Sequence, residues 1–149
     1  MSHNIRRISA QDTLYLRQKV LKPFLQKEEC LVEGDLLETT HHWGFFLENQ
    51  LVSVATFIAE THPDFSAKKS YRLRGMATDL DFAGMGIGSK LLKFSEQELI
   101  NQNVDFLWFN ARIKAFPFYV RLGFQFYGEM FELDRIGPHK TMYKYLETR

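Results

Sequence analysis

Apolar and polar positions along the chain sort into short stretches of period two, separated by two longer stretches of helical period. "NIRRIS" reads as a short strand. "SAQDTLYLRQKVL" reads as a helix with Ser9 as N-cap and Asp12 at the third helical position, a variant of the capping box, and Pro23 ends it. Its apolar residues Leu14, Leu16, Val20 and Leu21 form an imperfect stripe. Residues 24–42 carry no clear period; Gly34-Asp35 marks a turn, and Thr39 to His42 reads as a loop with both histidines, His41 and His42, solvated. "WGFFLENQLVSVATFIAE" gives two strands joined at Glu48-Asn49-Gln50, rich in aromatic and β-branched residues.

After the polar loop "HPDFSAKKS", the strand "YRLRGMAT" alternates Tyr71, Leu73, Gly75 and Ala77 against Arg72, Arg74, Met76 and Thr78. "SKLLKFSEQELINQ" places Leu91, Leu92, Ser95, Leu99 and Ile100 on one side of a helix. "VDFLWFNA" is a buried strand by its aromatic density, "FPFYVRLGF" a short helix stopped by Gly123, and "QFYGEMFELD" with "HKTMYKYLE" a closing pair of strands. Strands and helices do not alternate strictly, so the pattern predicts an α/β chain with a mixed sheet and helices on both faces.

Composition narrows the function. The 149 residues fit one domain, 1–149, with 45% hydrophobic and 25% charged residues, an ordinary globular balance. A net charge of +1 gives no field toward nucleic acid or a membrane surface, so the expected partner is small. The single cysteine, Cys30, forms no internal disulfide and suits a reducing, cytoplasmic setting; it reads as a small buried hydrophobe. "MSHNIRRISAQD" lacks the apolar run of a signal peptide, and no stretch reaches the length of a membrane span. Two adjacent histidines without further ligands make no metal site, so no metal is expected.

The stretch "GMGIGSK", residues 84–90, carries the chemistry. Glycine inside an element costs about 0.5–1 kcal/mol relative to alanine, so three at alternate positions imply a backbone that side chains would obstruct. In a Walker A loop the lysine directly follows the last glycine, whereas here Ser89 stands between Gly88 and Lys90. A dinucleotide fingerprint needs G-x-G-x-x-G early in a βαβ unit, whereas this chain has G-x-G-x-G, late. What remains is a concavity of backbone N–H groups at the positive end of a helix, which suits an anion. The bland alternative is a tight strand-to-helix turn.

Three motifs in order resemble the GCN5-related N-acetyltransferase family over nearly the whole chain. The family signature Arg/Gln-x-x-Gly-x-Gly/Ala is matched by Ala83, Met85, Gly86, Ile87 and Gly88, with Gly84 between; Ala83 departs from it, where the family carries a long polar side chain. "NARIKAFPFYVRLGF" holds the Asn at the end of the fifth strand and the "FYxxLGF" that recur in the family, and "GPHKTMYKYL" resembles the closing strand of one subgroup. The resemblance implies a mixed, mostly antiparallel sheet of six to seven strands in which the fourth and fifth splay apart to admit acetyl-CoA as cosubstrate. It further implies that Met76, Ala77 and Thr78 bind the pantetheine through their backbone, and that Ala83, Gly84, Met85, Gly86, Ile87, Gly88 and Ser89 hold the pyrophosphate. Asn110 would contact the cofactor, and Tyr119 would stand beside the thioester sulfur.

The implied reaction is direct attack of a neutral primary amine on the thioester in a ternary complex, the thiolate leaving with a pKa near 8.5 and Tyr119 as its acid. His139 is the preferred base, because an imidazole is mostly neutral at pH 7; Glu129, Glu132, His42 and water are the alternatives. Arg72 and Arg74 share a strand face and read either as an anchor for an acceptor carboxylate or phosphate, or as partners of Glu48 or Glu60. Other bland readings are a core tyrosine at Tyr119, a turn cap at Asn110 and a core histidine at His139. The acceptor, small molecule or peptide, is not written in the sequence, and a homodimer is left open. A catalytically silent acyl-CoA-binding or sensing module on the same fold is the alternative function.

Overall fold

The capping box written at Ser9 and Asp12 forms: the Ser9 hydroxyl accepts from the Asp12 N–H and the Asp12 carboxylate accepts from the Ser9 N–H, both at 3.1 Å. It opens helix α1, Ala10–Leu16, in a computed structural model that describes residues 2–147. The helix then widens into a π turn, Arg17–Leu21, with the Lys22 N–H donating to the Arg17 carbonyl five residues back. That extra residue explains the imperfect stripe. It lets Val20 and Leu21 rejoin Leu16 on the apolar side, while Arg17, just before it, continues the buried face of Ala10, Thr13 and Leu14.

Seven strands follow the order expected: β1 His3–Arg7, β2 His41–Leu47, β3 Gln50–Ala59, β4 Ser70–Thr78, β5 Phe106–Arg112, β6 Gln125–Leu133 and β7 Gly137–Tyr145. Helix α2 spans Ile87–Asn101 and the short α3 Phe116–Arg121. The strand order is β1-β2-β3-β4-β5-β7-β6. Pairing is antiparallel for β1–β2, β2–β3, β5–β7 and β6–β7 and parallel for β4–β5, so the sheet is mixed and mostly antiparallel. The Glu48-Asn49 turn has both residues at positive φ, 49° and 68°, the two-residue geometry that matches strand twist.

The chain forms two compact units, one of residues up to Ile58 with Leu73–Glu98, the other of Ala59–Arg72 with the chain from Leu99 onward. In the first, Leu16, Val54 and Ala77 form a core with Ile8, Val20, Leu21 and Leu51. Val54 pairs with Gly44 and Ala55 with Trp43, so the two registers face opposite ways. Leu16 of α1 packs on the Val54 side, and Phe94 of α2 meets Trp43 edge-on at 5.1 Å on the other, which puts helices on both faces there. In the second unit, Phe65, Phe106, Tyr143 and Tyr145 form one chain of ring contacts and Phe109, Tyr119 and Phe124 another.

The expected loop from Thr39 to His42 is corrected. His41 and His42 are the first residues of β2 and both are buried. Among the described residues no helix is long and apolar enough to cross a membrane, and no group of three His, Cys, Asp or Glu could hold a metal ion.

Candidate active site

β4 ends at Thr78, and the N–H of the next residue, Asp79, donates to the Val52 carbonyl at 2.8 Å. The Asp79 carboxylate accepts from the Asp81 N–H at 3.1 Å and so caps a short 3₁₀ turn, Leu80–Phe82. The chain then passes through Gly84 and Gly86 at φ +80° and +75°, a region that L side chains rarely adopt. A Cβ at either glycine would meet nothing within 4 Å, so packing is not what excludes a side chain. Residues 83–86 are exposed, whereas Ile87 is buried and anchors the first turn of α2. The Lys90 N–H donates to the Gly86 carbonyl at 3.1 Å, which leaves the N–H groups of Ile87, Gly88 and Ser89 without an intrahelical acceptor. A 15-residue helix puts its positive end at this open turn. Ala83 adds no polar side chain to this turn.

Just upstream, Ala77 is buried toward α1, while the Thr78 hydroxyl bonds the Ser53 hydroxyl at 2.8 Å on the opposite face. Gly75 breaks the alternation at φ +62°, and a Cβ there would lie 2.6 Å from Nε of Arg17. Arg17 is 2% exposed. Its Nη1 donates to the Cys30 carbonyl at 3.0 Å and to Asp35 at 2.7 Å, and its Nη2 to Asp35 at 2.9 Å and to the Thr56 hydroxyl at 2.8 Å. The chain of bonds continues: the Thr56 hydroxyl donates to Nδ1 of His42 at 2.7 Å, and Nε2 of His42 donates to the Asp35 carbonyl at 2.8 Å. Both His42 nitrogens are thereby spent, which removes it as a base. Burial alone would raise the Asp35 carboxyl, but the Arg17 hydrogen bonds and the Val32 N–H outweigh it and hold the group below its ordinary range. Sequence reasoning missed this network. The available signals were an arginine at helical spacing from Ala10, Thr13 and Leu14, directly after α1, and a glycine in mid-strand.

In the second unit, the parallel β4–β5 ladder pairs Ser70, Tyr71 and Arg72 with Phe106, Leu107 and Trp108. Asn110 stands two residues before the end of β5, not at its end, and its Oδ1 accepts from the Thr141 hydroxyl at 2.8 Å. The side-chain bond crosses to β7 in register, as a cross-strand contact and not a turn cap. Tyr119 on α3 is 8% exposed, its ring 4.2 Å from that of Phe109, and burial pushes its phenol well above the usual value. It stays protonated throughout the neutral range and so keeps an O–H to donate.

His139 is buried on β7 with Nδ1 2.8 Å from the Gly137 carbonyl, so Nδ1 carries the proton and Nε2 holds the lone pair in the neutral ring. Glu129 and Glu132 are exposed on β6. Arg72 pairs with Glu60 at 3.0 Å and lies 4.7 Å over the Trp108 ring, the glutamate partnership that the sequence offered beside an acceptor anchor. Arg74 is half-buried on the same strand.

An acetyltransferase (GNAT) domain model matches residues 8–146. A Bacillus subtilis (strain 168) protein with the name "Uncharacterized N-acetyltransferase YitI" is 36% identical over 144 residues, 97% of each chain. Among solved structures, FeeM, an N-acyl amino acid synthase from uncultured soil microbes, superposes with a TM-score of 0.79 at 12% identity over 97% of this chain and 91% of its own. An aminoglycoside 6'-N-acetyltransferase complexed with coenzyme A gives a TM-score of 0.76 at 14% identity, with 98% of both chains covered. These structures share the fold. The glycine turn, the sheet order and the family match converge on one assignment: the chain belongs to the GNAT acetyltransferase family and is an N-acetyltransferase.

Proposed function

We propose that the protein moves an acetyl group from acetyl-CoA to a primary amine by direct attack within a ternary complex. The observation that carries this reading is the turn at Gly84 and Gly86: left-handed, solvent-exposed, free of packing neighbours and set at the positive end of α2. That arrangement suits the pyrophosphate of a CoA ester, with residues 83–89 as its cradle. The backbone of Met76, Ala77 and Thr78 would bind the pantetheine as an added strand. The resemblance gives Asn110 a cofactor contact; with Oδ1 taken by Thr141, its two amide N–H donors are the groups it would offer.

Acetyl-CoA supplies an activated thioester carbonyl. The chain's part is to position it, to stabilise the developing oxyanion through a strand N–H, and to manage two protons. Tyr119 would serve the departing sulfur as a hydrogen-bond donor. Its raised pKa makes complete proton transfer to a thiolate of pKa about 8.5 uphill, so its contribution is modest. Nε2 of His139 is the proposed acceptor for the amine proton, directly or through water. Arg72 and Arg74 would favour an acceptor carrying a carboxylate or phosphate, Arg72 sharing its charge with Glu60.

Calorimetric titration of acetyl-CoA into the chain and into Gly86→Val tests the cofactor site. The wild type should bind, and the variant should remain folded with binding abolished. A folded Gly86→Val with unchanged affinity would refute the cradle. An amine screen that follows release of free CoA then reports turnover, and binding without turnover on any amine would refute the transferase step.

A further inference from the structure

The π turn Arg17–Leu21 carries two cations, one against Gly75 within β4 and one bonded to Asp79 directly after it. Arg17 is buried with four hydrogen bonds from its two terminal nitrogens, and its stem lies so close to Gly75 that an added Cβ would sit 2.6 Å from Nε and 3.3 Å from Cδ and Cζ. Nε itself is buried without a partner. Two residues on, Nζ of Lys19 bonds both oxygens of Asp79, at 3.1 and 3.2 Å, and lies 3.9 Å from the Asp81 carboxylate. Gly75 and Asp79 bracket Met76, Ala77 and Thr78, about 13 Å of strand at roughly 3.3 Å per residue. Arg17 continues the buried face of Ala10, Thr13 and Leu14 at ordinary helical spacing, and the extra residue of the π turn lies between Arg17 and Lys22, where it shifts the positions that follow Arg17.

We propose that this π turn is a clamp on β4, with Arg17 and Lys19 as positioning residues that fix the two ends of Met76–Thr78 for acetyl-CoA. The inference rests on the cofactor reading above. Arg17 fixes one end by steric contact, backed by its buried anchorage to Asp35 and Thr56. Lys19 fixes the other end by an ion pair with the residue that caps the turn into the glycine cradle. Neither touches the acetyl group. Their action is to keep the strand backbone in the geometry the pantetheine would meet, lowering the ordering required on binding.

The test uses Lys19→Met, whose side chain is 35% exposed and therefore tolerates replacement, with Lys19→Arg as the conservative control. Two quantities are read on the full chain: amide hydrogen exchange without ligand, and the acetyl-CoA dissociation constant by calorimetry. The clamp predicts that exchange at Met76–Thr78 quickens and acetyl-CoA affinity weakens, each by about two- to fivefold, the range of a partly exposed ion pair. Exchange in α2 and in β5–β7 should stay unchanged, and Lys19→Arg should restore both readouts. Unchanged exchange at Met76–Thr78 overturns the clamp, as does quickened exchange spread over the whole chain. Weakened affinity with unaltered exchange also overturns it, since Lys19 would then act on the ligand directly. A wild-type chain that shows no acetyl-CoA binding removes the cofactor reading itself, and the clamp with it.

Discussion

Replacing Asp35 by Asn isolates the buried charge pair beneath β4. In the wild type both carboxylate oxygens take guanidinium hydrogens of Arg17, at 2.7 and 2.9 Å, and the two side chains are 2% and 1% exposed. Asparagine keeps the size and one acceptor oxygen but leaves a buried guanidinium without a counter-charge. Removing one partner of such a pair costs about 3–5 kcal/mol. For a chain of this length each kcal/mol lowers the melting temperature by about 2–4 °C, so Asp35→Asn should melt roughly 6–20 °C below the wild type.

Urea unfolding followed by circular dichroism gives the same quantity at constant temperature, and its pH dependence gives the sign. The folded Asp35 carboxyl lies below its ordinary value of about 3.9. Its stabilisation is therefore complete above that value and is lost as pH falls through the lower, folded one. The gap between wild type and Asp35→Asn should narrow below pH 4. The double replacement Arg17→Met with Asp35→Leu, which removes both charges, should be less destabilised than Asp35→Asn alone. A cost below about 1 kcal/mol for Asp35→Asn, or a gap that does not change with acid, would refute the reading of a buried, ionised pair.

Other outcomes bear on the chemistry. Tyr119→Phe keeps the ring contacts with Phe109 and Phe124 and should lower kcat about 10- to 100-fold at unchanged acetyl-CoA affinity, read by steady-state kinetics and calorimetry. Because burial raises the Tyr119 phenol, its loss of a proton should produce no alkaline fall in kcat below about pH 10; a limb there that vanishes in Tyr119→Phe would contradict this. If Arg74 faces the acceptor, a screen should rank anionic or zwitterionic amines ahead of polyamines, and Arg74→Ala should raise KM for the best of them without altering acetyl-CoA affinity. Spermidine outranking every anionic amine would exclude that role.

Much of the fold was legible because local chemistry and tertiary packing agree. The Ser9 cap, the Glu48-Asn49 turn, the aromatic strand β5 and the stop at Gly123 each follow from residues that admit few conformations. The glycine turn was legible for the same reason. What escaped was non-local. His41 and His42 are polar and precede an obvious strand, so they read as loop; in the fold Thr56 and the Asp35 carbonyl meet the His42 ring and Arg7 meets the His41 ring, partners 14, 7 and 34 residues away in sequence. The helical period alone puts Arg17 on the buried face with Ala10, Thr13 and Leu14, but the groups that meet its charge, Asp35 and Thr56, lie 18 and 39 residues away in sequence.

Two features that look unfavourable alone account for each other. A glycine inside a strand weakens it by roughly 0.5–1 kcal/mol, and a buried arginine needs its charge and its N–H groups met. Gly75 leaves the space that a Cβ would take from the Arg17 stem, and Arg17 fills that space while Asp35, Thr56 and the Cys30 carbonyl meet four of its N–H groups. Neither residue can change alone without cost. Alanine at 75 would combine a 2.6 Å contact with a φ of +62°, and a smaller residue at 17 would leave Asp35 buried without its partner. On the clamp proposed above, the backbone at positions 76–78 would take its shape from the buried Arg17–Asp35 salt bridge, so that the strand proposed for the cofactor would be set by residues that the proposed chemistry never touches.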